Sequence, residues 1–205
     1  MTHFLKSTIT IAALLLTVIS YTPNANAEGL RIRGEIKKLK NNLASIETTS
    51  GQKIEVILEP DYKVLLYKDI RFEDIPKNAY LSIPSIPAGK NKRRALGINI
   101  FPEAMRGFNE GLGDWDLTSD SKMTNATLAQ VVNSSTKDGR ELVVSFGAEK
   151  QQVIVPQHTQ ITTFGPVDNY EIKKGHNVVI FAQVAGGKLA GKFVGVHENG
   201  ELPPI

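Results

Sequence analysis

A β-strand pattern that occurs twice is the strongest constraint on how this chain can fold. Apolar and polar residues alternate along residues 53–58 and 79–83, which places the apolar side chains of each run on one face of a sheet. Similar runs recur in the second half at an offset of 97 residues (172 − 75). The residues that keep this offset are Ile57 and Ile154, Ile75 and Ile172, Lys77 and Lys174, and Ile83 and Ile180. A constant offset through several strands predicts an internal duplication.

Each copy is predicted to hold about five short strands. The predicted strands span residues 30–36, 43–48, 53–58, 80–83 and 96–101 in the first copy, and 128–132, 141–146, 152–155, 177–182 and 192–197 in the second. Helical patterning is almost absent, apart from one turn bounded by Pro102 and Gly107. Short strands joined by Gly and Asn turns favour a sheet that closes on itself. The predicted fold class is all-β, with two tandem small OB-like β-barrels of about five strands each, at residues 28–101 and 124–205, joined by an irregular linker at 102–123 that packs at the seam between them.

Residues 1–27 are predicted to be a secretory signal peptide. Lys6 supplies a positive charge near the start, residues 9–19 form an apolar stretch, and small residues before Ala27 favour cleavage between Ala27 and Glu28. A membrane anchor is the alternative, but a spanning helix needs about 20 consecutive apolar residues and polar residues interrupt this stretch. The signal predicts a periplasmic protein, with the extracellular medium as the alternative and no stable membrane anchor after cleavage.

Composition narrows the function classes. The chain has no cysteine, which excludes both a disulfide and a lipid-modified cysteine. Removal of the signal would leave 23 basic and 21 acidic side chains, a formal charge of +2. This balance is unlike that of nucleic-acid-binding domains, which usually carry a strongly basic stripe. We therefore expect no nucleic-acid partner.

The segment between the copies carries the most specific sequence motifs. It contains FPEAMRG at 101–107, EG at 110–111, WDL at 115–117 and MTNAT at 123–127. This series resembles a group of uncharacterised exported bacterial proteins with tandem small β-barrel domains of unknown function. The resemblance covers nearly all of the chain after the signal, and it implies a fold and a compartment without implying an activity. A histidine usually follows the EG pair in that group, whereas this chain has Leu112, which argues against a histidine metal site in the linker.

The linker also concentrates side chains with unusual chemistry. After the signal, the only methionines are Met105 and Met123, and the only tryptophan is Trp115. Two thioethers and a histidine would suit Cu(I), so a copper site is one hypothesis. The histidines available to it are His158, His176 and His197. No two of them have metal-ligand spacing, which favours the other hypothesis, that the linker side chains pack across the seam and the protein has no cofactor.

Two surfaces are candidates for an interaction. The first is on the linker and comprises Glu103, Arg106, Trp115 and Asp116. The second is the basic run Lys90, Lys92, Arg93 and Arg94, which is predicted to lie in a hairpin loop where four cations could meet an acidic partner. The alternative for this run is a solvated loop tip that discourages edge pairing between sheets.

These observations predict a binding or interaction protein rather than an enzyme. The chain contains no cysteine nucleophile and no G-x-S-x-G motif. The partner would be an envelope protein or a small ligand. A copper-binding or copper-delivery protein is the first alternative. A hydrolase that acts on an envelope component is the second alternative. It requires carboxylates such as Glu103 and Asp116 to converge in a cleft, where they could act as acid and base.

Overall fold

The computed structural model describes residues 29–136 and 139–205, without the side chains of 133–136. The signal segment and its cleavage site between Ala27 and Glu28 lie outside the described residues. The described residues form strands and two short 3-10 turns, so the chain is all-β as predicted. The strands are β1 (Leu30–Lys40), β2 (Leu43–Thr48), β3 (Lys53–Asp69), β4 (Tyr80–Pro87), β5 (Lys92–Ala95), β6 (Ile98–Ile100), β7 (Gly111–Asp114), β8 (Lys122–Thr136), β9 (Gly139–Phe146), β10 (Glu149–Val155), β11 (Ile161–Val167), β12 (Asn177–Ala185) and β13 (Lys188–His197), and the 3-10 turns are Phe72–Asp74 and Glu103–Met105.

The strands hydrogen-bond into two closed rings. Ring A runs β1, β2, β3, β13 and β12 and returns to β1, and its β3–β13 pair is parallel. Ring B runs β8, β9, β10, β5 and β4 and returns to β8, and its β10–β5 pair is parallel. Each ring therefore has five strands and the same order of pairings, with three consecutive antiparallel strands closed by a hairpin from elsewhere in the chain. Five strands in a closed ring is also the number expected for an OB-like barrel.

Each ring is built from both halves of the chain. The first three strands of ring A come from the first copy, but its closing hairpin, β12 and β13, comes from the second copy. Ring B reverses this arrangement and is closed by β4 and β5 of the first copy. Two successive barrels at residues 28–101 and 124–205 are therefore not confirmed. The strand pattern is duplicated, and the two copies exchange their closing hairpins within one chain.

The exchange follows from how the third strand of each copy continues. The second half of β3 stays paired with β13 in ring A as far as Tyr67, and along its other edge it pairs antiparallel with β11. Tyr67 lies opposite Phe164, which is its counterpart at the offset of 97 (164 − 67). The register is symmetric about this pair, since Leu66 faces Gly165 and Lys68 faces Thr163. An approximate two-fold axis thus relates the two copies at this pair. Beyond the axis, the first copy continues to β4, which pairs with β8, and the second copy continues to β12, which pairs with β1.

The crossing segments that follow carry apolar side chains into the opposite ring. After β3, Phe72 is 8% exposed and packs in the core of ring B, with Ile75 beside it. After β11, Ile172 is 3% exposed and packs in the core of ring A together with Tyr170. The segment before β4 therefore packs in the core of ring B, which β4 and β5 close. The segment before β12 packs in the core of ring A, which β12 and β13 close. Apolar burial and strand pairing act together to hold the exchanged arrangement.

Several strands differ from their predicted bounds, and most of these are longer than predicted. β3 extends to Asp69 although Pro60 lies within it, because residues 59–62 bulge where the parallel partner β13 shifts register. The predicted strand at 96–101 is shortened to β6, and residues 92–94, which were predicted to lie in a hairpin loop, belong to β5. The turn predicted after Pro102 is confirmed as the 3-10 turn Glu103–Met105. Within residues 29–136 and 139–205, the structure contains no helix of the length and apolarity that a membrane span requires.

The exchange predicts that the two halves stay together after the linker is cut. A protease recognition site inserted after the exposed Gly107 should allow complete cleavage, yet the two fragments should co-elute as one species in gel filtration because every ring needs strands from both. They should separate only in denaturant. Fragments that part under native conditions, each with its own β spectrum, would contradict the exchange.

The pair on the two-fold axis should be a stability hot spot. Phe164→Ala removes a buried ring that stacks on Tyr67, so it should lower the free energy of unfolding by about 3–5 kcal/mol, as measured by urea denaturation. Val184→Ala is the control, because Val184 is 65% exposed, and it should change stability by no more than about 0.5 kcal/mol. Equal effects of the two substitutions would show that the axis is not central to the fold.

Candidate functional site

A third apolar cluster, which we call the seam, lies outside the two ring cores. Its buried members are Tyr67, Tyr80, Phe101, Met123, Phe164, Val179 and Ile205, and its partly buried members include Leu65, Met105, Trp115, Phe181 and Leu202. Tyr67 and Phe164 stack with ring centroids 5.1 Å apart and planes at 17°. Phe101 meets Phe164 edge-on at 5.4 Å. The aromatic residues of the seam thus come from both copies and from the linker.

Burial governs the polar end of Tyr67. The residue has no exposed surface, and its hydroxyl has no hydrogen-bond partner among the described residues. Burial raises the pKa of Tyr67 far above its usual value, because the charged phenolate would be poorly solvated. Tyr67 is therefore a neutral packing residue.

The pairing of β7 with β8 joins the linker to ring B, and the carbonyl group of Phe108 adds two contacts with side chains. The carbonyl oxygen of Phe108 accepts hydrogen bonds from the Tyr80 hydroxyl at 3.1 Å and from Asn125 Nδ2 at 3.3 Å. Nearby, Arg106 donates to both carboxylate oxygens of Glu103, at 2.6 and 2.8 Å. The predicted surface residues Glu103 and Arg106 are therefore exposed, as expected, but they are paired with each other.

The other two predicted linker residues clasp ring A. The guanidinium carbon of Arg31 lies 3.9 Å from the centroid of the Trp115 ring, which is cation–π geometry. Asp116 Oδ1 accepts hydrogen bonds from Arg31 Nε at 3.0 Å and from Arg33 Nη2 at 2.8 Å. Both arginines project from the outer face of β1, because Ile32 between them is buried. A single carboxylate oxygen thus holds two guanidinium groups.

The charge state of Asp116 follows from these contacts. Burial favours the neutral carboxyl, but the hydrogen bonds and charges of Arg33 and Arg31 outweigh it and hold the pKa of Asp116 below its usual range. Asp116 is therefore ionised at neutral pH. Such a carboxylate is a good ion-pair acceptor and a weak base, which suits binding better than proton transfer.

A polar cleft opens beside this clasp. It has a volume of about 260 Å³, and its lining includes Arg31, Arg33, Asp116, residues of the β2–β3 turn and the apolar side chains of Ile32, Ile54 and Leu117. The turn contributes the neutral polar residues Thr48, Thr49, Ser50 and Gln52. The residues that line the cleft carry two guanidinium groups and one carboxylate, so positive groups outnumber negative groups by one in this lining. Arg33 Nε also donates to the backbone oxygen of Ile205 at 2.6 Å. We call this cavity the arginine cleft.

Sequence analysis missed Arg31 and Arg33. They belong to the predicted strand at 30–36, for which no functional residue was proposed. Outward-facing arginines are usually solvated, yet the side chains of Arg31 and Arg33 are only 14% and 10% exposed. Their burial depends on the linker and could not be derived from the strand alone.

The copper candidates are placed as follows. Met105 and Met123 both pack in the seam with Trp115, and Met123 Sδ already accepts a hydrogen bond from Ser82 Oγ at 3.0 Å. This is the arrangement expected for gap-filling methionines. In the part of the chain that the structure describes, no group of three or more His, Asp and Glu side chains could hold a metal ion.

Two of the three histidines, His176 and His197, line one cavity of about 290 Å³. His197 is 2% exposed, with Nε2 3.1 Å from Asp69 Oδ1 and with Nδ1 accepting from the Asn199 backbone at 3.3 Å. His176 Nδ1 accepts from the Lys173 backbone at 3.4 Å. His158 lines a shallow depression that also includes Asp69. Both ring nitrogens of His197 are thus already used within the fold.

The basic run does not form one free cationic loop. Lys92 Nζ lies 2.9 Å from Glu141 Oε1. Arg93 is 8% exposed and donates to the hydroxyl and carbonyl oxygens of Ser85, at 2.8 and 2.6 Å. Arg93 is therefore a correction to the predicted interaction surface, because it lies on the buried side of β5. Arg94 is the next residue of the same strand, and Lys90 remains in the turn before it.

Comparison of the chain with protein-family models, with curated proteins and with solved structures finds no match. A function for the chain is therefore inferred from the geometry of the seam and of the arginine cleft.

The contacts of Asp116 with Arg31 and Arg33 should contribute a stability that depends on pH. Because the pKa of Asp116 is lower in the folded chain than in the unfolded chain, its stabilisation is present above about pH 4 and is lost as the pH falls through the folded value. Asp116→Asn should cost about 1–2 kcal/mol at pH 7 and much less at pH 3, as measured by urea denaturation. Asp61→Asn, at an exposed aspartate of β3, should keep the wild-type pH profile. A constant deficit for Asp116→Asn at both pH values would refute the role of its charge.

Proposed function

We propose that the chain is an exported, non-enzymatic binding protein of the periplasm and that the arginine cleft receives an anionic group of its ligand. The observation that carries this proposal is the sharing of one Asp116 oxygen by Arg31 and Arg33 at the wall of a polar cleft. Guanidinium groups match carboxylates and phosphates in geometry and charge. The ligand class is therefore a carboxylate-bearing or phosphate-bearing small molecule or the end group of an envelope polymer.

The arginines are held in position before any ligand arrives. Arg31 is stacked on Trp115, and Arg33 Nε donates to the backbone oxygen of Ile205 at 2.6 Å. An immobilised side chain loses less conformational entropy on binding, which raises affinity. Thr48, Thr49 and Ser50 add hydroxyl groups to the lining, two of which, on Thr48 and Ser50, hydrogen-bond to each other at 2.9 Å. The cleft thus combines one excess cation with hydrogen-bond donors, as an anion site requires.

Other features support binding rather than catalysis. The one carboxylate of the cleft is committed to two guanidinium groups, and its lowered pKa makes it a poor general base. Glu103, which the hydrolase hypothesis would bring near Asp116, is paired instead with Arg106. The predicted signal peptide supports export, and the near-neutral charge of the remaining chain supports a partner other than nucleic acid.

The test is titration of the signal-free protein with citrate and with pyrophosphate, followed by calorimetry at low salt. We expect saturable binding that weakens as salt is added. Arg31→Gln should weaken it about tenfold, since tenfold corresponds to about 1.4 kcal/mol. Asp116→Asn should strengthen it, because the substitution removes the negative charge from the cleft.

Arg71→Gln is the matched control, because Arg71 also pairs with an aspartate, Asp74, but is 77% exposed and lies outside the cleft. It should leave affinity unchanged. Opposite effects of Arg31→Gln and Asp116→Asn, with no effect of Arg71→Gln, identify the cleft. The proposal fails if neither anion binds saturably, or if all three variants behave alike while their circular dichroism remains that of the wild type.

A further inference from the structure

β7 is the only strand of residues 29–136 and 139–205 that has a neighbour along one edge alone. The strands of rings A and B pair along both edges, and β6 and β11 pair with each other and with β4 and β3. β7 pairs only with residues 122–125 of β8. Leu112 is 41% exposed and the side chain of Asp114 is 90% exposed, as expected where no further segment covers the strand. The second edge of β7, which we call the β7 edge, is therefore open.

The register identifies the backbone groups that point to the β7 edge. The N–H of Trp115, the residue after β7, donates to the carbonyl oxygen of Ser121 at 3.0 Å. Hydrogen-bonded and non-bonded residues alternate along an antiparallel ladder, so the residues two and four positions before Trp115 also bond to β8. The N–H and C=O groups of the other two residues of β7, Leu112 and Asp114, therefore point toward the open edge.

The pairing on the other side of β8 gives the same result. The N–H of Leu128 donates to the carbonyl oxygen of Ala79 at 2.8 Å, and the ladder between β4 and β8 keeps this register as far as residue 122. Alternation along β8 thus directs residues 122, 124 and 126 toward β4 and leaves 123 and 125 for β7. Two N–H and two C=O groups remain at the β7 edge, which is the pattern that an added strand requires.

The side chains at the β7 edge are arranged by face. Leu112 and Asp114 lie on one face, together with Glu110 just before the strand, because side chains alternate along a strand. Gly111 and Gly113 leave the other face bare. β7 contains no proline, and its four pairs with β8 keep one register without a bulge. Of the devices that block an edge in soluble proteins, this edge has short length and acidic charge, and only the charge discriminates between partners.

The acidic charge selects against a second copy of this chain. Antiparallel pairing of two β7 edges would bring together the carboxylates of Glu110 and Asp114 from both copies, and like charges across a strand pair are destabilising. Lys122 Nζ contacts Asp114 at 2.8 Å and Glu110 accepts from the Gly147 N–H at 2.7 Å, so both carboxylates are held in place beside the edge. The β7 edge thus complements an extended segment that carries basic side chains.

We propose that the β7 edge docks an extended, basic segment of a partner protein, which adds to β7 as one more antiparallel strand. The segment carries basic residues opposite Glu110 and Asp114 and an apolar residue opposite Leu112. A large side chain opposite Gly113 covers the bare face, as aromatic residues do for glycines of edge strands. This surface shares no residue with the arginine cleft, so the two sites bind independently.

The test titrates the full signal-free chain into a fluorescent peptide, Lys-Phe-Ile-Thr-Lys with blocked ends, and measures anisotropy at low salt. Antiparallel addition places the two lysines opposite Asp114 and Glu110 and the isoleucine opposite Leu112. We expect saturable binding. The peptide Glu-Phe-Ile-Thr-Glu should bind at least tenfold more weakly because its charges repel the edge. The lysine peptide with a methyl group on the isoleucine nitrogen should also bind at least tenfold more weakly, because it cannot donate to the carbonyl oxygen of Leu112.

Leu112→Pro removes one N–H from the β7 edge and none from the pairing with β8, so it should abolish peptide binding and leave citrate binding in the arginine cleft unchanged. Leu112→Ala is the matched control, because it keeps the N–H, and it should bind the peptide more tightly than Leu112→Pro. Asp114→Lys should remove the preference for the lysine peptide.

The proposal is overturned if the wild type shows no saturable binding of the lysine peptide, or if the glutamate peptide or the methylated peptide binds equally well. The methylated peptide tests the hydrogen bond at Leu112 on the wild-type chain, so the result does not depend on the folding of Leu112→Pro. Sedimentation velocity tests the other occupant. A wild-type dimer that Leu112→Pro converts to a monomer would show that a second copy covers the β7 edge, which would also overturn the proposal.

Discussion

The antiparallel pairing of β3 with β11 is the interaction on which the rest of the structure depends. It brings Tyr67 face to face with its own counterpart, Phe164, and it directs each copy across the axis into the neighbouring ring. Once the crossing is made, Phe72 and Ile172 become core residues of rings to which their own first strands do not belong. The same pairing creates the seam, because side chains that would otherwise face solvent on β3 and β12 now meet across the axis.

The seam then determines where chemistry is possible. Covering the outer face of β1 with the linker removes most of the surface of Arg31 and Arg33, and Asp116 limits the cost of burying two cations. One carboxylate for two guanidinium groups leaves an excess positive charge at the edge of a polar cleft. Close packing also determines the surroundings of Pro204. Its carbonyl oxygen accepts a hydrogen bond from the buried amide of Asn99, and its ring fits only because Gly97 has no Cβ atom. The arginine cleft joins ring A with the linker, and the contacts around Pro204 and Ile205 come from β6 and β1.

Period-two alternation was sufficient to predict the all-β class, and the offset of 97 located the equivalent strands. The offset carries no information on which copy completes which ring, because both arrangements bury the same apolar faces. Pro60 concealed the extension of β3, since proline normally ends or borders a strand. β11 was missed for a similar reason, because it contains Pro166 and a glycine. The arginine cleft could not be predicted, because it joins residues on β1 with a linker that lies more than 80 positions further along the chain.

The exchange of hairpins also sets the order in which this protein can be assembled during its synthesis. Leu30 pairs with Ala182, 152 positions later (182 − 30), so the first strand made must wait for nearly the last one before ring A can close. Long-range pairing of this kind slows folding, because the chain loses the entropy of closing a long loop before the contacts between the two strands stabilise it. Ring A of a nascent chain therefore remains open until almost all of the chain has emerged, whereas the strands of ring B are complete once Val155 has been made.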